Sequence, residues 1–313
     1  MSGRLDRVVF PAAGLCRADL LRYYARVADG VVGALLGRTV TVVRYPRGLA
    51  APGFFQKHQQ RAGGRQPIRI EDPMDLLRWV RLGAVEFHAP LGPASAASSA
   101  LAPHDWAVMD LDPNPPAGWA CVVHAARVVA TVFAHVGLPM QVKTSGRRGV
   151  HLMVPIEPLA AAEATQAMER LARVACALWP EGVTVARRVS DRGPRVYLDY
   201  LQNGPHRTMA AVYGVRALEP APISWPTSLP ALPAWDSRAA TVGKVLAGTS
   251  VPAWERGTPV NLAAAMERAG IPTAEELRRA GSRRPAPRGE SWMATSQRQE
   301  VGRAESSDAT CGR

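Results

Sequence analysis

The spacing of apolar residues predicts a chain that alternates between helices and strands. Apolar side chains recur at helical spacing in 17–36, 122–135 and 160–179, as in amphipathic helices. The β-branched run at 39–45 and the alternating run at 84–89 are typical of strands.

Further elements follow from turn and capping signals. Asp72 followed by Pro73 predicts the start of a short helix that ends at Leu82. A Ser/Ala-rich loop at 93–103 should lead into an apolar strand that carries Asp110. The remaining predicted elements are strands at 140–143, 150–155, 183–189, 195–201 and 208–213, and helices at 237–246 and 260–269. Because the elements interleave without a regular βαβ rhythm, we predict an α+β fold with mixed or antiparallel sheets flanked by helices.

Composition suggests three regions along the 313 residues. The candidate site residues all lie in 1–235, which we predict to be one catalytic domain with two sub-lobes. A helical extension should follow at 236–280. The last stretch, 281–313, is rich in Ser, Arg and Gly with few apolar residues, and we predict a disordered basic tail.

The chain is strongly basic. Lysine and arginine together number 38 against 26 acidic residues, which gives a formal net charge of +12, and only three of the 38 are lysine. Arginine codons are favoured in GC-rich genomes, so the shortage of lysine is weak evidence of function. The positive excess is better evidence, because polyanions such as nucleic acids are the usual partners of such a surface.

Cysteine usage and hydropathy narrow the class of protein. The four cysteines form no C-x-x-C pair, which argues against a zinc ribbon or a disulfide framework and suits a reducing compartment. We expect no membrane helix, since no segment approaches about 18–20 unbroken apolar residues. The N-terminus lacks the apolar core of a signal peptide. A cytoplasmic, nucleoid-associated enzyme is therefore expected.

Acidic residues stand at the ends of two apolar strands. Alternation places Asp110 and Asp112 on one face of a strand, and Asp199 ends another apolar run. Carboxylates gathered in this way suit Mg²⁺ or Mn²⁺ and phosphoryl or nucleotidyl transfer. A D-x-D pair in an exposed turn is the simpler alternative, but the apolar neighbours favour a metal site, because unpaired buried carboxylates are costly.

A glycine-bounded basic turn, Ser145-Gly-Arg-Arg-Gly149, precedes His151. Glycines let backbone amides approach an anion, and arginine grips phosphate oxygens with two donors. The turn is not a Walker A loop, because the G-K-[ST] ending is absent. The alternatives are a basic surface turn and a structural histidine.

Phe54 and Phe55 are adjacent between Gly53 and Gln56. In an extended segment the two rings cannot both point into one core, so one could stack on a nucleobase for roughly 1–3 kcal/mol. Packing in a core or between domains is the alternative.

Six motifs in fixed order resemble the polymerase domain of bacterial ligase D, a member of the archaeo-eukaryotic primase superfamily. They read RYPRG…FFQK, EFHAP, DLDP, SGRRGVH, LDYLQN and YGVRA, between about residues 4 and 235. The resemblance implies a primase-polymerase catalytic core. It also implies that Asp110, Asp112 and Asp199 hold two divalent ions, Mn²⁺ in preference to Mg²⁺.

The resemblance assigns further roles to individual residues. Phe55 would stack on the incoming base, and His88 would lie near the ribose. The residues that would surround the triphosphate or the site are Ser145, Arg148, Gly149, His151, Arg192, Gln202 and Arg216. Arg148 stands where the family usually has lysine, which keeps the charge and changes the geometry.

Arg7 and Arg17 occupy the positions of lysines that grip the 5′-phosphate of a DNA end in relatives. The chain has no ligase K-x-D-G motif and no nuclease extension, so we expect a stand-alone polymerase.

The function expected is template-dependent addition of rNTPs or dNTPs to a 3′-hydroxyl, in end joining or gap filling. DNA and nucleoside triphosphates are the expected partners, with Ku and a separate DNA ligase as further candidates. One alternative is a DNA-end-binding protein that has lost catalysis, and another is a primase that needs no primer.

Overall fold

The strands of this computed structural model form two larger sheets and two short hairpins. The structure describes residues 5–94, 103–234, 236, 238–273 and 276. The strands are β1 Val8–Phe10, β2 Leu15–Cys16, β3 Thr41–Arg44, β4 Phe54–Gln56, β5 His58–Arg61, β6 Gly64–Pro67, β7 Ala84–Ala89, β8 His104–Pro113, β9 Gln141–Thr144, β10 Val150–Leu159, β11 Val183–Thr184, β12 Val196–Asp199, β13 Met209–Ala210 and β14 Pro226–Thr227. The helices are α1 Arg17–Arg26, α2 Ala28–Leu35, α3 Pro73–Arg81, α4 Trp119–Val136, α5 Ala161–Leu178, α6 Val242–Leu246 and α7 Leu262–Arg268.

The larger sheet has six strands in the order β11-β12-β8-β10-β9-β14. All neighbouring pairs are antiparallel except β11 with β12, which run parallel. The second sheet is antiparallel, in the order β13-β7-β3-β4. The remaining strands pair as β1 with β2 and β5 with β6. The predicted α+β class with largely antiparallel sheets is confirmed.

Local signals act as the sequence indicates at the start of α3 and at the end of α4. The Asp72 carboxylate accepts a hydrogen bond from the backbone N–H of Asp75 at 2.7 Å and so caps α3. Gly137 adopts a left-handed conformation, with φ of 73°, and ends α4. The predicted helix at 17–36 is instead two helices, because Val27 leaves the helical conformation with φ of −110° and ψ of 12°.

Two hydrophobic cores lie under the two larger sheets. The first joins α1, α2 and α3 to the four-stranded sheet, and includes Tyr23, Trp79 and Phe87. The second joins α4, α5 and α7 to the six-stranded sheet through residues such as Met109 and Leu152. The division of residues 1–235 into two sub-lobes stays a prediction.

The length and composition of α4 would allow it to cross a bilayer, and it is the one such helix in the described part of the chain. Arg127 interrupts its apolar run, so the helix is not the unbroken apolar segment that the sequence analysis sought. Its residues Val122, Val129 and Phe133 are buried in the second core.

The residues on both sides of position 235, where the helical extension is predicted to begin, belong to one compact unit, and the predicted division stays a prediction. The chain through Ile271 forms one compact unit, and a second unit comprises Pro272–Arg313. Val242 and Val245 of α6 pack in the first core, whereas Leu262 and Met266 of α7 pack in the second. The predicted tail at 281–313 and part of the 93–103 loop lie outside the described residues.

Candidate active site

A row of four ionisable side chains crosses the six-stranded sheet. On β8, Asp110 is paired in register with His151 of β10 and with Asp199 of β12. His151 is paired in turn with Lys143 of β9. Directly paired residues in antiparallel strands have neighbouring side chains on one face, so tertiary pairing gathers charges that are remote in sequence.

Asp110 is the most perturbed acid of this row. Burial, followed by the nearby carboxylates of Asp199 and Asp112, raises its pKa to about 7 against smaller opposing effects of Lys143 and Arg216. A group of carboxylates that repel one another in a desolvated place is a donor set suited to a hard divalent cation.

The carboxylate of Asp199 accepts hydrogen bonds from strand β12 and from the turn that follows it. Its Oδ1 accepts hydrogen bonds from the Tyr197 hydroxyl at 3.2 Å and the Leu201 N–H at 3.1 Å. Its Oδ2 accepts from the Gln202 amide at 2.8 Å. No three His, Cys, Asp or Glu side chains form a ready-made ligand cluster within the described residues. Metal binding by Asp110, Asp112 and Asp199 would therefore require their carboxylates to turn.

The turn between β9 and β10 is built by a serine hydroxyl. Ser145 Oγ accepts hydrogen bonds from the backbone N–H groups of Arg147 and Gly149, both at 3.1 Å. A Cβ on Gly149 would lie 2.0 Å from the carbonyl oxygen of Leu111 in the adjacent strand. Glycine is thus required where the turn passes beside the D-x-D strand.

Opposite this turn, Glu86 of β7 is the centre of a buried polar cluster. Its carboxylate accepts hydrogen bonds from Nε of Arg216 at 3.0 Å and from the backbone N–H of Ala217 at 2.8 Å. The ring nitrogen Nε2 of His88 lies 2.8 Å from Oε2 of the same carboxylate. Arg216 also donates to the carbonyl oxygen of Ser145 at 2.9 Å, so the cluster joins both larger sheets.

Lys143 is fully buried next to the aspartates. Its ammonium group lies 2.6 Å from Nδ1 of His151 and donates to Ala210 O at 3.1 Å and to Ser224 Oγ at 2.8 Å. Burial lowers the pKa of Lys143 to about 7, helped by the charge of Arg216 and opposed by Asp110. Burial and then Lys143 hold the pKa of His151 well below its usual range.

A neutral His151 that accepts at Nδ1 carries its proton on Nε2. Nε2 of His151 lies 3.5 Å from Oδ1 of Asp110. Lys143 therefore sets the direction in which His151 presents its proton, which is towards Asp110.

These side chains surround a cavity of about 540 Å³ between the two larger sheets. Eleven residues predicted from the sequence line it: His88, Asp110, Asp112, Ser145, Arg148, Gly149, His151, Arg192, Asp199, Gln202 and Arg216. Two arginines approach the carboxylate of Asp112. Nη2 of Arg148 lies 3.5 Å from its Oδ1, and Nη1 of Arg192 lies 3.8 Å from its Oδ2. The cavity thus has acids on one wall and guanidinium groups around them.

Phe55 lies apart from this group. Its side chain is 72% exposed on the edge strand β4, and it lines a separate depression with residues of the β5–β6 hairpin. Neither core contains Phe54 or Phe55. Of the two interpretations left open by the sequence, the structure favours exposure over core packing, and base stacking by Phe55 stays a prediction.

Arg17 does not occupy the position expected of a DNA contact. It is 1% exposed, and its guanidinium group donates to the carbonyl oxygens of Val80 at 3.1 Å and Tyr45 at 3.0 Å. Such a group cannot reach an external phosphate without unfolding its surroundings, so we withdraw Arg17 from the predicted 5′-phosphate contacts. Arg7 is half-buried near it and keeps that prediction.

Sequence reasoning missed two buried residues of the site. Glu86 lies two positions before His88 in strand β7, so alternation could have placed it on the same face as the histidine. Lys143 gave no comparable signal, because its position beside Asp110 depends on the pairing of β8, β9 and β10.

Solved structures include one with the same architecture. The chain superimposes on the polymerase domain of Mycobacterium tuberculosis ligase D in complex with DNA with a TM-score of 0.71 and 30% sequence identity. The match covers 79% of this chain and 93% of that one.

Curated relatives are proteins of bacterial end joining. The chain is 32% identical over 230 residues to the multifunctional non-homologous end joining DNA repair protein LigD of M. tuberculosis, covering 67% of this chain and 30% of the relative. It is 30% identical over 237 residues to the bifunctional LigD of Bacillus subtilis, covering 71% of this chain and 38% of the relative.

The chain therefore spans less than two fifths of the length of these relatives. A family model described as "LigD, primase-polymerase domain" matches residues 16–250. That match covers most of the chain and includes every residue that lines the cavity, whereas Arg7 and strand β1 lie outside it. The chain belongs to the LigD primase-polymerase domain family.

Proposed function

We propose that this protein is a template-dependent nucleotidyltransferase that adds nucleotides to a primer 3′-hydroxyl during DNA end joining or gap filling. The observation that carries the proposal is the register that places Asp110 beside Asp199, with Asp112 two residues along, at an arginine-lined cavity. Family membership supports a nucleotidyltransferase, and the DNA bound to the M. tuberculosis domain supports DNA as the partner.

The acids would hold the metal ions, Mn²⁺ or Mg²⁺. Asp110, Asp112 and Asp199 would share one ion, and Asp110 and Asp112 the other. Two bound ions would supply activation of the 3′-hydroxyl and neutralisation of the triphosphate and leaving pyrophosphate. Gln202 and Tyr197 donate to Asp199 and would orient its carboxylate for this task.

The basic residues would hold the triphosphate. Arg148 and Arg192 now approach Asp112, and a bound polyphosphate would offer these arginines new anionic partners. Arg216 is fixed by Glu86 and Ser145, which prepares one guanidinium group before substrate arrives. His88 would face the ribose, and the exposed ring of Phe55 would stack on the base.

The cellular setting follows the relatives and belongs to the same proposal. Their names place them in non-homologous end joining, so we propose chromosomal DNA breaks in the cytoplasm as the place of action. Ku and a DNA ligase are proposed as partners, because the relatives are named as proteins of non-homologous end joining.

Primer extension tests the proposal directly. Purified protein should extend a primer–template with rNTPs in Mn²⁺, and Asp110→Ala should reduce the rate about 100-fold or more, as expected for loss of a group that stabilises transition-state charge. Glu181→Ala, which removes an exposed acid from the surface, is the matched control and should extend normally. Equal, negligible incorporation by all three proteins would overturn the proposal.

The same protein preparations separate the two alternatives. A non-catalytic end-binding protein would bind DNA but incorporate nothing, and Mn²⁺ titration would show no difference between the wild type and Asp110→Ala. A primase would synthesise on an unprimed single strand. The gathered aspartates favour catalysis, because binding DNA alone gives no reason for carboxylates in a basic cavity.

A further inference from the structure

A second cavity, of about 380 Å³, lies along the same face of strand β8 as the active-site cavity of about 540 Å³. Trp106 lines the second cavity and Asp110 lines the first. The two residues share a face of β8 and are four positions apart, which separates them by about 13 Å. Between them, Val108 packs with Met153 and Met209 in a small apolar cluster. The second cavity, here called the tryptophan cavity, has no part in the proposed function.

One wall of the tryptophan cavity is aromatic. The rings of Trp106 and Trp254 are stacked, with centroids 6.0 Å apart and an interplanar angle of 29°. Trp106 is buried, whereas Trp254 is half-buried and keeps part of its indole uncovered. Stacked rings leave no room for a third ring between them, so a planar ligand would lie against Trp254.

Two guanidinium groups belong to the same cavity. Arg38 donates to both carboxylate oxygens of Asp105, at 2.7 and 2.9 Å. Nη1 of Arg256 lies 3.2 Å from Oδ2 of Asp105, and Nη2 donates to its backbone carbonyl oxygen at 2.8 Å. The side chain of Arg256 is 42% exposed, and a guanidinium group has more donors than these contacts use. Arg256 can therefore also bind an anionic group of a ligand.

Asp29 is an acid of this cavity whose carboxylate has no partner among the described residues. It is exposed in the first turn of α2, where it complements the positive end of the helix. That role alone would explain an acid at this position. The aromatic wall and the arginines in the same cavity favour a ligand, and a carboxylate requires that ligand to present hydrogen-bond donors.

These features together select the class of ligand. A cation would meet two guanidinium groups, and a simple anion would not use the aromatic wall. A nucleotide offers a planar base to Trp254, N–H donors to Asp29 and a phosphate to Arg256. Guanine fits best, because its two adjacent N–H groups match the two oxygens of a carboxylate. Adenine has a ring nitrogen beside its amino group, and the lone pair of that nitrogen repels a carboxylate.

We propose that the tryptophan cavity is a second nucleotide site, which binds guanine outside the active-site cavity. The base lies against Trp254, its N–H groups donate to Asp29, and the phosphate accepts from Arg256. The guanine comes either from a free nucleotide or from an unpaired position of a DNA strand, since both present the same base and phosphate. The site uses neither metal ions nor the three aspartates, so the inference does not depend on the proposed function.

Binding of guanosine 5′-monophosphate (GMP) in the presence of EDTA tests the site. GMP lacks the β- and γ-phosphates, and EDTA removes divalent ions, so both conditions disfavour the active-site cavity. An NMR titration of the full chain should show saturable GMP binding, with adenosine 5′-monophosphate (AMP) bound about tenfold more weakly. Absence of GMP binding, or equal binding of GMP and AMP, overturns the proposal.

Variants locate the bound nucleotide. Asp29→Asn should remove the preference for GMP over AMP. Trp254→Ala should weaken both about tenfold, and Trp254→Phe should recover part of the loss. Arg148→Ala, in the active-site cavity, should leave the GMP affinity unchanged. A loss in Arg148→Ala, or no loss in Trp254→Ala, overturns the proposal.

Gly33→Leu tests the cavity without removing any polar group. Gly33 lines the tryptophan cavity, and a Cβ there meets open space, so leucine should fill the cavity and abolish GMP binding. Gly243→Leu is the matched control, because Gly243 is also helical with open space around a new Cβ and lies outside the lining. Both variants should unfold thermally like the wild type. GMP binding by a folded Gly33→Leu overturns the proposal.

Competition identifies the source of the guanine. An oligothymidylate with one guanine should displace GMP at a lower concentration than free GMP does if the site holds a base of a DNA strand, and at a higher concentration if it holds a free nucleotide. Oligothymidylate alone should displace no GMP, and displacement by it contradicts recognition of guanine. Primer extension without GMP binding would refute only this site, whereas GMP binding without primer extension would refute only the proposed function.

Discussion

At the scale of single residues, the candidate active site contains ionisable side chains whose charged forms are disfavoured by burial. Asp110 is buried among acids, and Lys143 is buried beside Arg216, so the two side chains have pKa values of about 7 from opposite directions. Lys143 lowers the pKa of Asp110, and Asp110 raises the pKa of Lys143, because opposite charges attract strongly where water does not screen them. Such perturbed groups are expected where a substrate or ion completes the charge balance.

Metal affinity should therefore depend on pH around neutrality. Below pH 7 Asp110 is mostly protonated, and a cation must displace that proton in order to bind. The affinity for Mn²⁺, measured by electron paramagnetic resonance without nucleotide, should rise up to about tenfold per pH unit between pH 5.5 and 7 and level off above.

The control for this pH dependence is Asp110→Asn, which keeps the shape and removes the titrating group. Its remaining Mn²⁺ affinity should be weak and should change little over the same interval. Wild-type affinity that is constant from pH 5.5 to 7 would show that Asp110 does not bind the cation.

Arg17 should prove to be a structural residue. Arg17→Met keeps much of the volume but leaves the carbonyl oxygens of Val80 and Tyr45 without their donor. The free energy of unfolding should fall by about 2–3 kcal/mol in denaturant titrations.

The affinity ratio between DNA ends with and without a 5′-phosphate should stay unchanged in Arg17→Met. Arg7→Met is the comparison, because Arg7 is the remaining candidate for that contact. A selective loss of 5′-phosphate recognition in Arg17→Met, without a similar loss in Arg7→Met, would show that Arg17 contacts the 5′-phosphate.

At the scale of elements, the site depends on close approach of the turn after β9 to the end of β8. Gly149 permits this approach, because any Cβ there would meet the Leu111 carbonyl at 2.0 Å. The D-x-D motif and the basic turn Ser145–Gly149 are therefore one structural unit, although more than 30 residues separate Asp112 from Ser145.

Gly149→Ala should lower the stability of the protein and also disturb the candidate active site. The backbone contact cannot relax by a rotamer change, so the free energy of unfolding should fall by about 2–3 kcal/mol. Nucleotide affinity of the folded fraction should fall as well. Gly33→Ala is the matched control: the position is helical with open space around a new Cβ, and it should be neutral or stabilising by up to about 1 kcal/mol. Similar stabilities for both variants would contradict the close approach.

At the scale of the whole molecule, the positive charge belongs mainly to the compact unit. The stretch 272–313 has eight basic and six acidic residues, so ten of the twelve excess charges lie in 1–271. The surface that would attract DNA is thus part of the folded unit that contains the cavity.

DNA affinity should accordingly depend on salt through the compact unit. A plot of log affinity against log salt concentration should have a slope steeper than about −3, which corresponds to more than three neutralised phosphates. A variant truncated after Ile271 should keep most of this slope in fluorescence anisotropy. Loss of the slope on truncation would assign DNA binding to 272–313 instead.

The local features of this protein could be predicted from its amino-acid sequence. Helix ends at Asp72 and Gly137, the strand 84–89 and the facing pair Asp110 and Asp112 follow from capping, alternation and turn chemistry between near neighbours. Six ordered motifs were enough to predict the family and most of the residues around the cavity. These signals are readable because each depends on residues a few positions apart.

Only the tertiary structure decided which remote groups meet and which positive charges are accessible. Strand register brings Lys143 and Asp199 to Asp110, and the meeting of two sheets brings Glu86 to Arg216. The same packing buries Arg17, whose charge the sequence presents as ready for DNA. Burial and long-range strand pairing depend on the whole fold. They determine how well a charged group is solvated and which groups it contacts.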